Sequence, residues 1–154
     1  MKSIGFTGHR KLPDDPTLKE RLFTVLEQLI SEGACDFYAG GAMGWDMMCE
    51  REVLRLREKY PDIRLHLVLP CPPEQQTAKW SAPLTAEYNR ILSAADSVET
   101  VSPRYTEQCM RRRNARLVEL SECMVCYCSR FRSGTAQTIR MAEGSNVRII
   151  HLSL

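Results

Sequence analysis

Apolar positions along the chain alternate between short blocks and runs at helical spacing. Residues 4–7 read as a strand, and Leu18, Leu22, Val25, Leu26 and Leu29, three and four apart, predict a helix over 18–30. A second strand, 36–39, runs into Gly40-Gly41 and then a helix over 44–59 with Trp45, Met48, Cys49, Val53 and Leu56 on one face. Pro61 closes it. Ile63, Leu65, Leu67 and Leu69 alternate with Arg64, His66 and Val68, which predicts a third strand less fully covered than the first two, at a sheet edge. A proline-rich loop at 70–80 follows. Beyond it the pattern predicts helices over 83–94, 110–121 and 135–143, each followed by a strand, at 97–101, 123–127 and 148–152.

Alternating strands and helices over the whole chain predict an α/β fold, a three-layer sandwich on a mostly parallel sheet, with residues 1–154 as one domain. In such sheets ligands bind beyond the carboxyl ends of strands, where the strand order reverses. The loops after strands one, two, four and five are therefore the ones to search.

A net charge of +2 neither demands nor forbids a polyanionic partner, so any basic surface must be local. No apolar run has the roughly 18 to 20 residues of a membrane span, and the start of the chain has no signal-peptide core, which predicts a cytoplasmic protein without membrane contact. Seven cysteines is an odd number and points to reduced thiols. Cys123 and Cys126 lie three apart in a strand and so on opposite faces, which argues against a shared metal ion.

The turn Gly40-Gly41-Ala42-Met43-Gly44 joins a strand to a helix and has the makings of a phosphate cradle, with small residues and free helix N–H groups. Asp46, expected at an exposed helix start, would repel phosphate and better suits a ribose hydroxyl, a base or a cation. After the first strand, Gly8-His9-Arg10 offers a sharp turn and two donors. After the fifth, Ser133-Gly134-Thr135 opens a helix as a second anion site. If Leu117 and Val118 face the sheet, Arg113 and Asn114 share that inner side, while Arg111, Arg112 and Arg116 point outward as a solvated face. That placement argues against nucleic acid as partner. Gln76, Trp80 and Tyr88 supply an amide and aromatic surfaces after strand three. No nucleophile elbow, Walker A loop or histidine pair at metal-binding spacing is evident, so no residue is assigned as catalytic.

Together, Gly5-Phe6-Thr7-Gly8-His9-Arg10, Gly40 to Asp46, Pro70 with Gln76 and Trp80, Arg113-Asn114 and Gly134-Thr135 fall in the order seen in YpsA-like proteins. The chain resembles that part of the SLOG superfamily over essentially its full length. The resemblance implies a Rossmann-like sheet of order 3-2-1-4-5-6. It also implies kinship with the DNA-processing protein DprA, with Lonely Guy phosphoribohydrolases, and with sensor domains for NAD-derived nucleotides in bacterial and phage conflict systems. Lonely Guy enzymes carry a catalytic glutamate three residues after the Gly-Thr threonine. Here Thr135 is followed by Ala136, Gln137 and Thr138, and Ser133 replaces a glycine.

The resulting expectation is a protein that binds a nucleotide or nucleotide-derived molecule of the NAD or ADP-ribose type, as sensor or sequestering protein. The nucleotide is the one cofactor-like ligand implied, and a homo-oligomer is open. One alternative is hydrolysis of an N-glycosidic or phosphate bond with Asp46 or His9 as acid or base. The other is DprA-like nucleic-acid binding through Arg111, Arg112 and Arg116.

Overall fold

In the computed structural model, which describes residues 2–153, six strands make one sheet. They are β1 (Ser3–Gly8), β2 (Asp36–Ala39), β3 (Arg64–Leu69), β4 (Ser97–Thr100), β5 (Cys123–Tyr127) and β6 (Arg148–His151). All five pairings are parallel. Helices α1 (Leu18–Ser31), α2 (Trp45–Lys59) and α4 (Ala82–Ala94) cover one face, and α5 (Cys109–Leu120) and α6 (Gly134–Gly144) the other. The result is a Rossmann-like three-layer sandwich. The one helix that the hydrophobic pattern did not predict is the four-residue α3 (Pro73–Gln76), too short for a period to show.

The strand order is β4-β3-β2-β1-β5-β6. The expected order, 3-2-1-4-5-6, is corrected at one point: β4 lies outside β3 instead of beside β1, and β1 pairs directly with β5. β3 is therefore an interior strand, not an edge. Its polar-looking face is covered, since the His66 ring stacks on Tyr38 at 4.7 Å and bonds Ser97 Oγ at 2.6 Å, while Val68 is buried under α5 and α6. The edge belongs to β4, where Val98 is 46% exposed.

Two cores flank the sheet. The larger joins Phe6, Phe37 and Leu65 to the inner faces of α1, α2 and α4; the smaller joins Met124 and Cys126 to Leu117, Val118, Ile139 and Ala142. Cys123 belongs to the first core and Cys126 to the second, as strand alternation requires. In α2 burial reaches almost all the way round: Trp45, Cys49, Val53 and Leu56 are buried as expected, Met47 takes the inner place expected of Met48, and Asp46, Glu50 and Glu52 are buried too.

Because β1 sends its chain back one way to β2 and is flanked on the other side by β5, the loops leaving β1 and β5 diverge. A crevice opens between them at the carboxyl ends of the strands.

Candidate functional site

The crevice has a volume of about 890 Å³ and is walled by the loops after β1 and β5, the start of α6 and the inner face of α5. Gly8, His9, Arg10, Asp46, Arg113, Asn114, Ser133, Gly134 and Thr135 all line it. Gly8 is needed for packing: a Cβ there would overlap the Trp45 ring, whose Nε1 donates to the Val125 carbonyl at 3.3 Å. That contact seats the β1 turn against β5.

His9 is buried, at 4% exposure, and its Nε2 accepts the Ser129 N–H at 2.9 Å. The proton of the neutral ring is then on Nδ1. Burial, and secondarily the nearby Arg130 guanidinium, push the His9 pKa below the usual 6.5. The crevice thus holds a neutral imidazole with the Arg130 guanidinium 3.5 Å from Nδ1.

At the start of α6, Ser133 Oγ accepts the Ala136 N–H at 3.0 Å and lies 3.2 Å from the Arg130 carbonyl, to which it donates. The serine is therefore an N-cap. The Gly134 and Thr135 N–H groups, in the first turn, have no acceptor within the helix. A Cβ at Gly134 would meet nothing within 4 Å, so the backbone there faces open space.

The glycine turn after β2 is different, and the phosphate-cradle expectation for it is corrected. Two of its donors already have partners: Gly41 N–H donates to Glu50 Oε2 at 3.1 Å and Ala42 N–H to Asp46 Oδ2 at 3.2 Å. Gly40, Gly41 and Gly44 do not line the crevice. Gly40 lets the Arg113 guanidinium approach its carbonyl, to which Nη1 donates. Gly44, at φ 78°, abuts the Arg10 carbonyl, where a Cβ would collide. The glycines pack the turn against the chain itself.

Asp46 is buried, at 6% exposure, against the expectation of an exposed helix start. Burial raises its pKa, opposed chiefly by the charge of Arg113. Burial, followed by the Asp46 charge, raises that of Glu50 well above the ordinary range. Burial likewise lowers that of Arg113, whose Nε donates to Asn114 Oδ1 at 2.8 Å. Among the described residues no carboxylate comes within 4.0 Å of Arg113. Glu50 is the member of this cluster that the sequence reading missed; its spacing of four from Asp46 on α2 is the signal that would have found it.

Gln76 and Trp80 lie in a neighbouring cavity of about 390 Å³ that shares Arg10, Ala42 and Met110 with the crevice. Gln76 Nε2 donates to the Gly41 carbonyl at 3.3 Å, its Oε1 accepts from Tyr88 OH at 2.8 Å, and the Trp80 ring meets Tyr88 edge-on at 5.3 Å. Both ends of the Gln76 amide are thus engaged by the protein. Trp80 and the half-exposed Tyr105 leave aromatic surface in that cavity.

The family model of the YspA SLOG family matches residues 7–146, spanning every part of this site. The chain belongs to that family. The SPbeta prophage-derived protein YoqJ of Bacillus subtilis is 29% identical over 86% of this chain and 84% of its own. A UPF0398 protein of Bacillus velezensis is 26% identical over 81% of this chain and 74% of its own. Among solved structures, the DNA processing protein A of Streptococcus pneumoniae superposes with a TM-score of 0.73 at 15% identity, covering 97% of this chain. That of Helicobacter pylori, described for its single-stranded DNA binding mode, superposes with a TM-score of 0.68 at 18% identity, again over 97% of this chain. This YspA SLOG chain spans 50% and 64% of those two proteins, and the likeness is one of fold. Nothing in this likeness of fold excludes nucleic acid as a partner, against the expectation from the outward placement of Arg111, Arg112 and Arg116. Among the described residues no helix is long and apolar enough to cross a membrane.

Proposed function

We propose that this YspA SLOG protein binds a nucleotide or nucleotide-derived molecule, of the NAD or ADP-ribose type, in the crevice between the β1 and β5 loops, acting as sensor or sequestering protein. On this proposal residues 1–154 are one cytoplasmic domain. The observation that carries it is Arg113: a guanidinium at 5% exposure, lining the crevice, with no carboxylate within ion-pair distance among the described residues. Its charge meets Asp46 and Glu50 only beyond ion-pair distance, a buried cation without a direct partner is costly, and a ligand phosphate supplies one. Support comes from the first-turn N–H groups of α6 and from Arg10 and Arg130 at the crevice wall. Asp46 offers a carboxyl for ribose hydroxyls.

A ligand that binds only the folded chain stabilises it by about 2.7 kcal/mol at a hundred times its Kd, which a melting curve detects. AMP, ADP-ribose and NAD at millimolar concentration are expected to raise the melting temperature, and small molecules released from the purified protein are expected to include a nucleotide by mass. No shift with any of them overturns the reading. Turnover of the added nucleotide in the same samples would favour hydrolysis, with Asp46, whose raised pKa suits a general acid, as its proton donor.

A further inference from the structure

The crevice does not end where one nucleotide would. Beside it, between α5 and α6, runs a groove of about 580 Å³ that shares Met110, Asn114 and Gly134 with it. On the other side lies the cavity with Trp80 and Tyr105, sharing Arg10, Ala42 and Met110. Met110 borders all three, so they adjoin one another and together make a trough along the carboxyl edge of the sheet. The crevice alone is near the top of the roughly 300–1,000 Å³ that a small-molecule site occupies. The full trough suits something longer.

Its charge is sorted in a way that composition conceals. The arginines that pair with acids are Arg21, Arg51, Arg55, Arg57, Arg64, Arg90 and Arg116, and none of them lines the trough. The exposed cations that do line it are Arg10, Lys11, Lys79, Arg111, Arg130 and Arg140, and among the described residues none has an acid within 4.0 Å. Apart from the buried Asp46, the one acid on its walls is Glu107. A net charge of +2 is thus the sum of a neutralised body and a basic edge.

Aromatic rings accompany the cations. Only three large hydrophobic residues are strongly exposed among those described; Tyr105, at 57%, lines the trough, and Phe131, at 86%, follows Arg130, which lines it, in the loop after β5. Tyr105 is held in place, since its N–H donates to Gln75 Oε1 at 2.6 Å and so ties the loop after β4 to α3. Cations that track a phosphate chain, interleaved with rings on which bases stack, make a surface for unpaired strands; a duplex hides its base faces.

We propose that the trough binds single-stranded nucleic acid, with one nucleotide in the crevice and its neighbours running toward Arg111 and Arg140 on one side and Trp80 and Tyr105 on the other. The inference rests on the crevice being a nucleotide site and extends it from a monomer to a strand.

A length series tests it: oligo(dT) and oligo(U) of one, two, four, eight and twelve nucleotides, measured by calorimetry or fluorescence anisotropy on the full chain. Affinity is expected to rise at least 100-fold from the monomer to a plateau length. The plot of log K against log salt should steepen with length, by about 0.7 for each phosphate engaged. DNA and RNA arms together show whether the 2′-hydroxyl matters. Arg111→Ala with Arg140→Ala, outside the crevice, should weaken the octamer at least tenfold and leave the mononucleotide unchanged. Equal affinity for monomer and octamer overturns the strand and leaves the nucleotide reading standing. Binding of neither overturns both, and a duplex bound as tightly as the single strand overturns the stacking role of Tyr105 and Trp80.

Discussion

Asp46 and Glu50, one turn apart on α2, accept hydrogen bonds from the successive amides of Ala42 and Gly41, at 3.2 and 3.1 Å. Two buried carboxyls thereby occupy two of the donors that a glycine-rich strand-to-helix turn would otherwise hold out to a phosphate. They also leave those two amides of the turn unavailable to an anion, and the proposed phosphate contacts therefore lie at the start of α6 and on Arg113. Each carboxyl disfavours ionisation of the other, so they titrate as a pair.

That pair predicts a pH signature. Glu50 keeps its proton well above the ordinary 4.5, so its contribution to stability is complete below about pH 4.5 and is lost as pH rises through the raised folded value. Glu50→Gln preserves an acceptor for the Gly41 N–H and removes the charge. In urea denaturation the variant should match the native chain near pH 4 and become the more stable of the two as pH rises to 8. Glu50→Ala should instead be less stable at every pH, by about 1 to 3 kcal/mol, because the buried N–H loses its partner. Parallel stability curves for the native chain and Glu50→Gln would exclude a shifted titration.

His9 predicts the opposite slope. Its folded pKa is below 6.5, so the stability it contributes is complete above about pH 6.5 and is lost as pH falls through the lowered value. Nitrogen NMR should find Nε2 unprotonated and Nδ1 carrying the proton at pH 7. A phosphate bound beside the ring should raise the midpoint. A midpoint at or above 6.5 in the free protein, or the other tautomer, would contradict the hydrogen bond from Ser129.

Arg113 and Asp46 should prove energetically coupled. Arg113→Met keeps much of the side-chain volume but leaves Asp46 and Glu50 without the cation that favours their charged forms. Asp46→Asn should then restore part of the lost stability, with a coupling energy of about 0.5 to 3 kcal/mol in the double-mutant cycle. Nucleotide affinity should fall at least tenfold in both Arg113→Met and the double variant, since neither retains the guanidinium in the crevice. Additive stability losses would mean that Arg113 serves only to hold the Gly40 carbonyl.

Much of this was legible in the sequence because periodicity reports burial. The predicted elements lie within a residue of those observed, and helical spacing alone placed Arg113 and Asn114 on the inner side of α5. Periodicity says nothing about which strand lies beside which, and β3 shows the cost: His66 and Val68 look like an exposed face until Tyr38, Ser97 and the second core cover them. Glycine spacing was ambiguous for a similar reason. It reports that something approaches the backbone closely, and at Gly40 and Gly44 that something is Arg113 and the Arg10 carbonyl. The basic edge was hidden too, since pairing partners such as Glu99 for Arg116 come from distant segments.

The contrast between two glycines offers the sharpest test of where a ligand touches the backbone. At Gly44 the backbone is left-handed, at φ 78°, and a Cβ would strike the Arg10 carbonyl. Gly44→Ala should cost at least about 2 kcal/mol, since strain at such a dihedral is about 1 to 3 kcal/mol before the clash is relieved. Gly134 has no such restriction and opens onto empty crevice, in the first turn of α6. Gly134→Ala should therefore leave stability unchanged or raise it by up to about 1 kcal/mol through helix propensity. Its nucleotide affinity should nevertheless drop, because the added methyl stands where a phosphate would approach the Gly134 and Thr135 N–H groups. A Gly134→Ala protein that folds as well as the native chain and binds nucleotide equally would move the phosphate away from α6 and leave Arg113 as its principal partner.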